Sequence, residues 1–346
     1  MRKILSALFV ASAVVLSANA QKQGNFSYFL PKTAVRMSLL IEKKTFTPGQ
    51  LAGYSDMYFK TSAPTEPSVT YRIVGTSFSS VGLPDDNKKY ELFIDKKHSI
   101  VSVECDRNGV LKAINDKAAD VPVPSPFKPS PKVAQPNPHD YMSQDILSSG
   151  NLPKMARMVA QEIYDIRDSR NQLSRGEADF MPKDGEQLKI MLDNLNTQES
   201  ALLRMFEGST VTDTTETVLT FVPEKGISKQ VLFRFSRHFG LVDSDDLSGD
   251  PYYLLTEDLN VVPELPALPE EAKKKDDMVI GVCLPGKIRL TVSDGQKPTA
   301  HYETYAAQFG RTELLSGSLF GKKMTSHIIV DPVTGTVLNL RTEPLE

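Results

Sequence analysis

Residues 152–208 read LPKMARMVAQEIYDIRDSRNQLSRGEADFMPKDGEQLKIMLDNLNTQESALLRMFEG, the one long stretch in which apolar residues recur at helical spacing. The pattern predicts two helices joined as a hairpin, because residues three and four apart share one face of a helix. Asn151 suits the capping position of the first helix, and Gly176 suits its left-handed end. We expect the second helix to begin near Pro182 and to end at Gly208.

Each predicted helix carries a single apolar stripe that is rich in methionine. The stripes consist of Met155, Met158, Val159, Ile163, Ile166 and Leu173 in the first helix, and of Leu188, Met191, Leu192, Leu195, Leu202, Met205 and Phe206 in the second. Such a stripe is typical of ordinary core, and an adaptable binding groove is the alternative. Neither helix is apolar enough to span a bilayer.

Sequence on both sides of the helices predicts β-strands. Toward the amino terminus, separate strands are expected at 69–74 and 90–94, and Asn108-Gly109 between apolar runs predicts a hairpin. After the helices, 215–222 and 228–236 are expected to pair as a second hairpin. The last segment ends in a hairpin about Asp331-Pro332-Val333-Thr334-Gly335.

The two ends of the chain are alike in sequence. Leu30-Pro31-Lys32 near the start aligns with Leu284-Pro285-Gly286-Lys287 near the end, which predicts a duplicated β module. The fold class is therefore α+β, mostly β, with two similar β modules flanking a central helical hairpin and β-hairpin. The expected organisation is a signal peptide at 1–20, an N-terminal β module at 21–117, a proline-rich linker at 118–140, the helical hairpin plus β-hairpin at 141–260, a second linker at 261–277 and a C-terminal β module at 278–346.

The first residues have the pattern of a secretory signal peptide. Arg2 and Lys3 precede an apolar run at 4–16, and Ala18-Asn19-Ala20 forms a cleavage site, so the mature chain is expected to begin at Gln21. No cysteine lies at that site, which excludes a lipoprotein, and no second apolar run has the length of a membrane span. The sequence thus predicts export to the periplasm or the cell surface.

The net charge argues against one class of function, and the cysteine content limits the possible disulfides to one. The net charge of −3 over 346 residues gives no basic field, so nucleic-acid binding has no electrostatic support. Cys105 and Cys283 are the only two cysteines. An oxidising compartment permits one disulfide between them, and two buried free thiols are the alternative.

One acidic loop is the candidate binding site. It runs from His238 to Asp250 and contains the carboxylates Asp243, Asp245, Asp246 and Asp250, an arrangement that resembles a Ca²⁺ loop. The EF-hand template fails, because leucine occupies its fifth and twelfth positions. A polar turn held by its own aspartates is the alternative reading. Elsewhere the sequence has no zinc-binding histidine pair, no Gly-x-Ser-x-Gly and no phosphate loop, so we expect no cofactor and no metal.

A family resemblance rests on Tyr28–Gly49 and on five later stretches. These stretches are Ile166–Gly176, Met181–Gly185, Phe206–Gly208 and Phe235–Pro251, together with Leu284-Pro285. The chain resembles a family of secreted Bacteroidetes proteins known only as a domain of unknown function, over most of the mature chain. The resemblance implies an exported or envelope location, and it supplies no catalytic residues.

The sequence therefore predicts a non-enzymatic exported cell-envelope protein that acts as a binding or assembly module. A protein or glycan partner in the envelope is expected, with the helical hairpin and sheet edges as contact surfaces. The alternative is a secreted hydrolase or Ca²⁺-dependent glycan-binding protein that uses the loop from His238 to Asp250.

Overall fold

The computed structural model describes residues 24–119, 124–131, 134–265 and 275–345, and the predicted signal peptide and parts of both linkers lie outside them. The helices are α1 (Ser55–Phe59), α2 (Gln144–Leu147), α3 (Leu152–Arg175) and α4 (Gly185–Glu207). The strands are β1 (Gly24–Thr47), β2 (Ser68–Ile94), β3 (Val103–Cys105), β4 (Leu111–Ile114), β5 (Ser209–Phe221), β6 (Lys229–Ser236), β7 (Gly240–Val242), β8 (Asp250–Val261), β9 (Val279–Ser293), β10 (Pro298–Ser316), β11 (Met324–Val330) and β12 (Val337–Pro344). The predicted α+β, mostly β class is confirmed.

The strands form three antiparallel sheets. Sheet 1 has the order β2-β1-β5, sheet 2 the order β10-β9-β8-β6-β7, and sheet 3 the order β12-β11-β4-β3. Sheets 1 and 2 share a core in which Met37 and Leu39 of β1 pack with Phe233, Leu254 and Leu290. This packing follows from the strand period of two, which places alternate β1 residues on one buried face.

Two further cores complete the interior. One joins the first part of β1 to sheet 3 and contains Tyr28, Leu30, Ile114, Ile280 and Ile328. Sheet 3 itself combines strands from both ends of the chain, since Ile114 of β4 pairs with Ile328 of β11. The other core lies beneath the helices.

The predicted helical hairpin is confirmed. The Asn151 side chain accepts a hydrogen bond from the Lys154 N–H, and Gly176 ends α3 with φ 73°. The second helix begins at Gly185 rather than near Pro182, because the Asp184 side chain caps it by accepting from the Gln187 N–H. In the described residues, no helix combines the length and apolar content needed to cross a membrane.

The methionine stripe is core at the base of this hairpin. Met205 and Phe206 of α4 pack with Val159 and Ile163 of α3 and with Leu51, which follows β1. Met155 and Met158 pack against the same cluster. The packing at the base of the hairpin therefore supports the interpretation of the apolar stripe as ordinary core.

Two strand predictions are wrong. Segments 69–74 and 90–94 belong to one strand, β2, because β1 also pairs with most of the residues between them. The expected hairpin of 215–222 with 228–236 does not form, since β5 pairs with β1 whereas β6 pairs with β7 and β8. The chain changes sheets at this turn, where Gln308 Nε2 donates to the Pro223 carbonyl. The hairpin of the central region is formed by β6 and β7 instead.

Matching irregularities occur in the two long hairpins. Phe29 and Pro31 of β1 face Lys89 and Pro84, so residues 85–88 of β2 have no partner in the ladder. In the same way, Leu284 and Gly286 of β9 face Arg311 and Ala306, and residues 307–310 of β10 bulge out. Both bulges lie at the Leu-Pro sequences on which the predicted repeat rests. The duplication and the domain boundaries stay predictions.

Candidate functional site

A cleft of about 500 Å³ opens between the edges of sheets 1 and 2. Its floor is formed by the half-buried Ile73, Phe78 and Tyr252, which lie over the buried Met37, Leu39, Phe233 and Val292. Among the described residues that line it there is no lysine, arginine, aspartate or glutamate. Transfer of a charge into a lining without counter-charges is unfavourable, so the cleft suits a neutral group.

The walls of the cleft are the edge strands β2 and β10. Residues 73–76 and Phe78 of β2 form one wall, and residues 299–301 of β10 form the other. Polar groups occur at the rim, where Thr76, Thr299 and His301 are exposed. His301 Nδ1 lies 3.1 Å from Thr291 Oγ1. The site therefore combines an apolar interior with a few hydrogen-bonding groups at its mouth.

Aromatic rings make the lining rigid. Phe233 and Tyr252 stack with ring centroids 4.6 Å apart, and Phe78 stacks on Tyr302 at 5.3 Å. Offset or stacked aromatic pairs contribute stabilisation beyond their buried area. The cleft is thus preformed by the packing of the two sheets.

Hydrogen bonds close the cleft at both ends. At one end, the Tyr71 N–H donates to the Arg237 carbonyl at 2.8 Å. At the other end, Ser80 Oγ lies 3.1 Å from Tyr302 Oη and 2.9 Å from Thr304 Oγ1. The open edge of β2 therefore lies between two fixed points.

The loop from His238 to Asp250 is closed on itself. Arg234 donates from Nε to the Ser244 carbonyl at 2.9 Å and from Nη1 to the Gly249 carbonyl at 3.0 Å. The Ser248 N–H and side chain both bond to Asp246, and they lower the pKa of that carboxyl. Such contacts describe an aspartate-held polar turn.

The structure does not bring the predicted loop residues together around one point. Arg234 lies on the face of β6 opposite to Phe233 and Phe235, because successive side chains alternate along a strand, so the loop covers the outer face of sheet 2. His238 belongs instead to the exposed turn 237–239 that joins β6 to β7. In the part of the chain that the structure describes, no three His, Cys, Asp or Glu side chains are arranged to hold a metal ion.

A family model described as a domain of unknown function, DUF4831, matches residues 24–338. The chain belongs to the DUF4831 family. The comparison with curated proteins found no match, and the comparison with solved structures found none either. The predicted membership of a family of unknown function over most of the chain is thus confirmed, and the family model assigns no reaction or ligand.

His98 is the histidine with the most extensive contacts in this DUF4831 protein. Its ring is buried, with Nδ1 2.9 Å from Asp95 Oδ1 and Nε2 3.2 Å from Asp276 Oδ1. Because both ring nitrogens are occupied, His98 joins the end of β2 to the start of β9 and has no position left for a substrate or metal. Its role in the DUF4831 fold is that of a clamp.

The two cysteines are free thiols in the structure, so the disulfide that the compartment would permit is not formed there. Burial raises the pKa of Cys105 to about 12, and burial also raises the pKa of Cys283. The thiolate is the reactive form of cysteine. Both thiols are therefore protonated near neutral pH and are poor nucleophiles.

Reasoning from the sequence did not find the cleft of the DUF4831 chain. Its residues come from β1, β2, β6, β8, β9 and β10, and no short motif connects them. One available signal was the alternation of Val35, Met37, Leu39 and Ile41, which marks the buried face of β1. The sequence does not show that the edge beside this face is left open.

Proposed function

We propose that the chain is an exported, non-enzymatic protein of the cell envelope that acts as a binding module, with the cleft between β2 and β10 as its binding site. The signal-peptide pattern at 1–20 supports export. The observation that carries the binding role is the uncharged, aromatic-lined cleft of about 500 Å³. Ligand sites in proteins are commonly apolar concavities of roughly 300–1,000 Å³ with a few polar groups.

The chemistry of the lining defines the class of ligand. The floor buries an apolar body, which gains roughly 25 cal/mol for each Å² removed from water. The Thr76 hydroxyl offers a hydrogen bond at the rim, and the Thr299 hydroxyl, which donates to the Val292 carbonyl, can accept one there. The ligand is therefore a neutral group with an apolar body and a polar end that stays near solvent.

Binding of Nile red, a neutral apolar fluorophore, to the mature chain at 21–346 tests this proposal. Ala300 lines the cleft, so Ala300→Phe fills it, and Val261→Phe adds the same ring at an exposed position of β8. We expect the wild type and Val261→Phe to bind alike and Ala300→Phe to bind at least about tenfold more weakly. Equal binding by a folded Ala300→Phe would contradict the proposed site.

The alternative function uses the loop from His238 to Asp250 as a Ca²⁺-dependent glycan-binding or hydrolytic site. It requires that Ca²⁺ bind the folded chain and raise its melting temperature, since a ligand of the native state stabilises that state. The proposed function predicts the same melting temperature with Ca²⁺ and with chelator. A rise that Asp243→Asn abolishes would favour the alternative.

Export is tested independently in the native host. Fractionation followed by amino-terminal sequencing is expected to give Gln21 as the first residue, in the periplasmic or surface fraction. A chain that starts at Met1 in the cytoplasmic fraction would contradict the export part of the proposal.

A further inference from the structure

We infer that the cleft takes an extended strand of a partner protein, which pairs antiparallel with residues 73–78 of β2 and places apolar side chains on the cleft floor. This inference rests on the proposed function and specifies the occupant. Addition of a strand to a sheet edge is an established mode of peptide recognition, in which backbone bonds provide affinity and side-chain pockets provide specificity.

Several backbone N–H and C=O groups of β2 point away from β1 and are oriented for such pairing. In an antiparallel ladder the N–H and C=O of one residue point to the same side, and the side alternates along the strand. The Tyr71 N–H points outward, since it bonds to Arg237, so the backbone groups of Ile73 also point outward. Ile73 and Gly75 face Ile41 and Leu40, so Val74 is an additional, bulged residue.

Beyond the bulge, the pairing with β1 identifies the next outward groups. Thr76 pairs with Leu39, and Phe78 pairs with Met37. Met37, Leu39 and Ile41 are alternate residues of β1, so their partners on β2 have the same orientation in the ladder. The backbone groups of Thr76 and Phe78 therefore point away from β1. These residues also line the cleft, so one incoming strand meets backbone partners and an apolar pocket together.

The two fixed points set the length of the occupant. Residues 72–79 lie between the Tyr71–Arg237 bond and the Ser80 contacts with β10. At about 3.3 Å per residue, this edge spans roughly 25 Å. A segment of six to eight residues, roughly the usual strand length, fits between them.

Positively charged side chains at one end of the open β2 edge indicate which end of the incoming strand is acidic. The exposed Arg237 and His238 follow the Tyr71 contact, and Lys43 Nζ lies 5.9 Å from the centre of the Tyr71 ring. The acidic residues of this region do not face the cleft. Asp213 pairs with Lys43 in sheet 1, and the aspartates of the 243–250 loop cover the outer face of sheet 2. A strand antiparallel to β2 ends near Arg237, so we expect an acidic residue or a free carboxylate at its carboxyl-terminal end.

A phage-displayed library of random ten-residue peptides, selected on the mature chain, tests the inference. The expected sequences carry apolar residues at alternate positions, with an acid toward the carboxyl end. Synthetic peptides of these sequences are expected to slow hydrogen exchange at the amides of Ile73, Thr76 and Phe78. Protection of another surface, or selection of peptides without this alternation, would overturn the inference.

A matched pair of variants separates the inference from the proposed function. Thr76→Pro removes the outward N–H, whereas Thr76→Val keeps it, and proline is tolerated at a strand edge. We expect Thr76→Pro to bind the selected peptides at least about tenfold more weakly than Thr76→Val, which lacks the same hydroxyl, whereas Nile red binding is measured on the wild type.

Three outcomes would overturn the strand occupant and leave the binding cleft in place. They are undiminished peptide binding by Thr76→Pro, Nile red binding without any selected peptide, and self-association with β2 protected in the absence of peptide. Failure of both probes would overturn the proposed function as well. Should Thr76→Pro lower the melting temperature, the exchange measurement on the wild type decides.

Discussion

The hydroxyl of Thr33 donates a 2.9 Å hydrogen bond to the carbonyl of Val333, 300 residues further along the chain. The same oxygen accepts a 3.0 Å bond from the Ala307 N–H, and the side-chain amide of Gln308 bonds to both backbone groups of Thr33. Thr33 is fully buried. This contact joins β1 to the bulge of β10 and to the turn after β11, and so fixes both ends of the chain together.

Replacement of Thr33 by valine tests the contribution of this contact. The shape is nearly unchanged, but the Val333 carbonyl and the Ala307 N–H lose their partner in a buried position. We expect a loss of about 2–3 kcal/mol in the free energy of unfolding, measured by urea denaturation. Thr220→Val on the exposed face of β5 is the control, with an expected change within about 0.5 kcal/mol.

Close backbone approach predicts that Gly82 does not tolerate a side chain. A Cβ added there would lie 1.9 Å from the Pro332 carbonyl oxygen, which belongs to the backbone and moves only with its turn. We expect Gly82→Ala to cost about 3 kcal/mol or to prevent soluble expression. At Gly53 a Cβ meets nothing within 4 Å, so Gly53→Ala is expected to leave the melting temperature nearly unchanged. Equal stability of the two variants would contradict this packing.

The helical hairpin is held by a buried carboxylate between two arginines. Glu199 of α4 is 7% exposed, and its oxygens accept hydrogen bonds from Arg167 Nε at 2.6 Å and from Arg170 Nη1. Glu199→Gln leaves the arginines partly buried without their counter-charge. We expect a loss of about 2 kcal/mol in urea denaturation, compared with less than about 0.5 kcal/mol for the exposed Glu177→Gln. A loss no larger than that of the control would show that the pair is not a stabilising element.

The clamp at His98 predicts acid sensitivity. Partial burial opposes ionisation of Asp95 and Asp276, but backbone N–H groups and the His98 ring outweigh it and lower both pKa values below the ordinary 3.8. A carboxyl whose pKa is lower in the folded state contributes stability above the unfolded pKa, and this contribution is lost as the pH falls through the folded pKa.

Asp276→Asn removes one of these carboxylates. We therefore expect its urea midpoint to fall less between pH 5 and pH 3 than that of the wild type, while Asp179→Asn in the exposed loop between α3 and α4 follows the wild type. An equal fall of the urea midpoint between pH 5 and pH 3 in all three proteins would contradict the link between the Asp276 carboxyl and acid sensitivity.

The helices of this fold are predictable from the sequence because their signals are local. Asn151, Gly176 and Asp184 act within four residues of the helix ends that they define. The turn at Asn108-Gly109 is local in the same sense, and Gly109 has φ 81° there. In each case the conformation of the backbone follows from neighbours that the sequence places side by side.

Strand pairing and the cleft are not predictable in this way. Gly75 and Gly82 interrupt the pattern of β2, yet the strand continues because both residues pair with β1, opposite Leu40 and Thr33. Phe78 stacks on Tyr302, which is distant in sequence, and nothing local in either segment encodes that contact. The carboxylates of the loop from His238 to Asp250 indicate a binding site in the sequence, but in the structure Arg234 binds two carbonyls of this loop on the outer face of sheet 2.

Photo-crosslinking in the native host tests the binding role of the cleft most directly. A benzoylphenylalanine replaces Thr299 at the rim of the cleft, and in a control it replaces the exposed Leu338 on β12. We predict an envelope-protein adduct from position 299 that Ala300→Phe abolishes, with the crosslinked residue in an extended apolar segment. Identical adducts from both positions, or an adduct that Ala300→Phe leaves unchanged, would contradict the assignment of the cleft as the binding site.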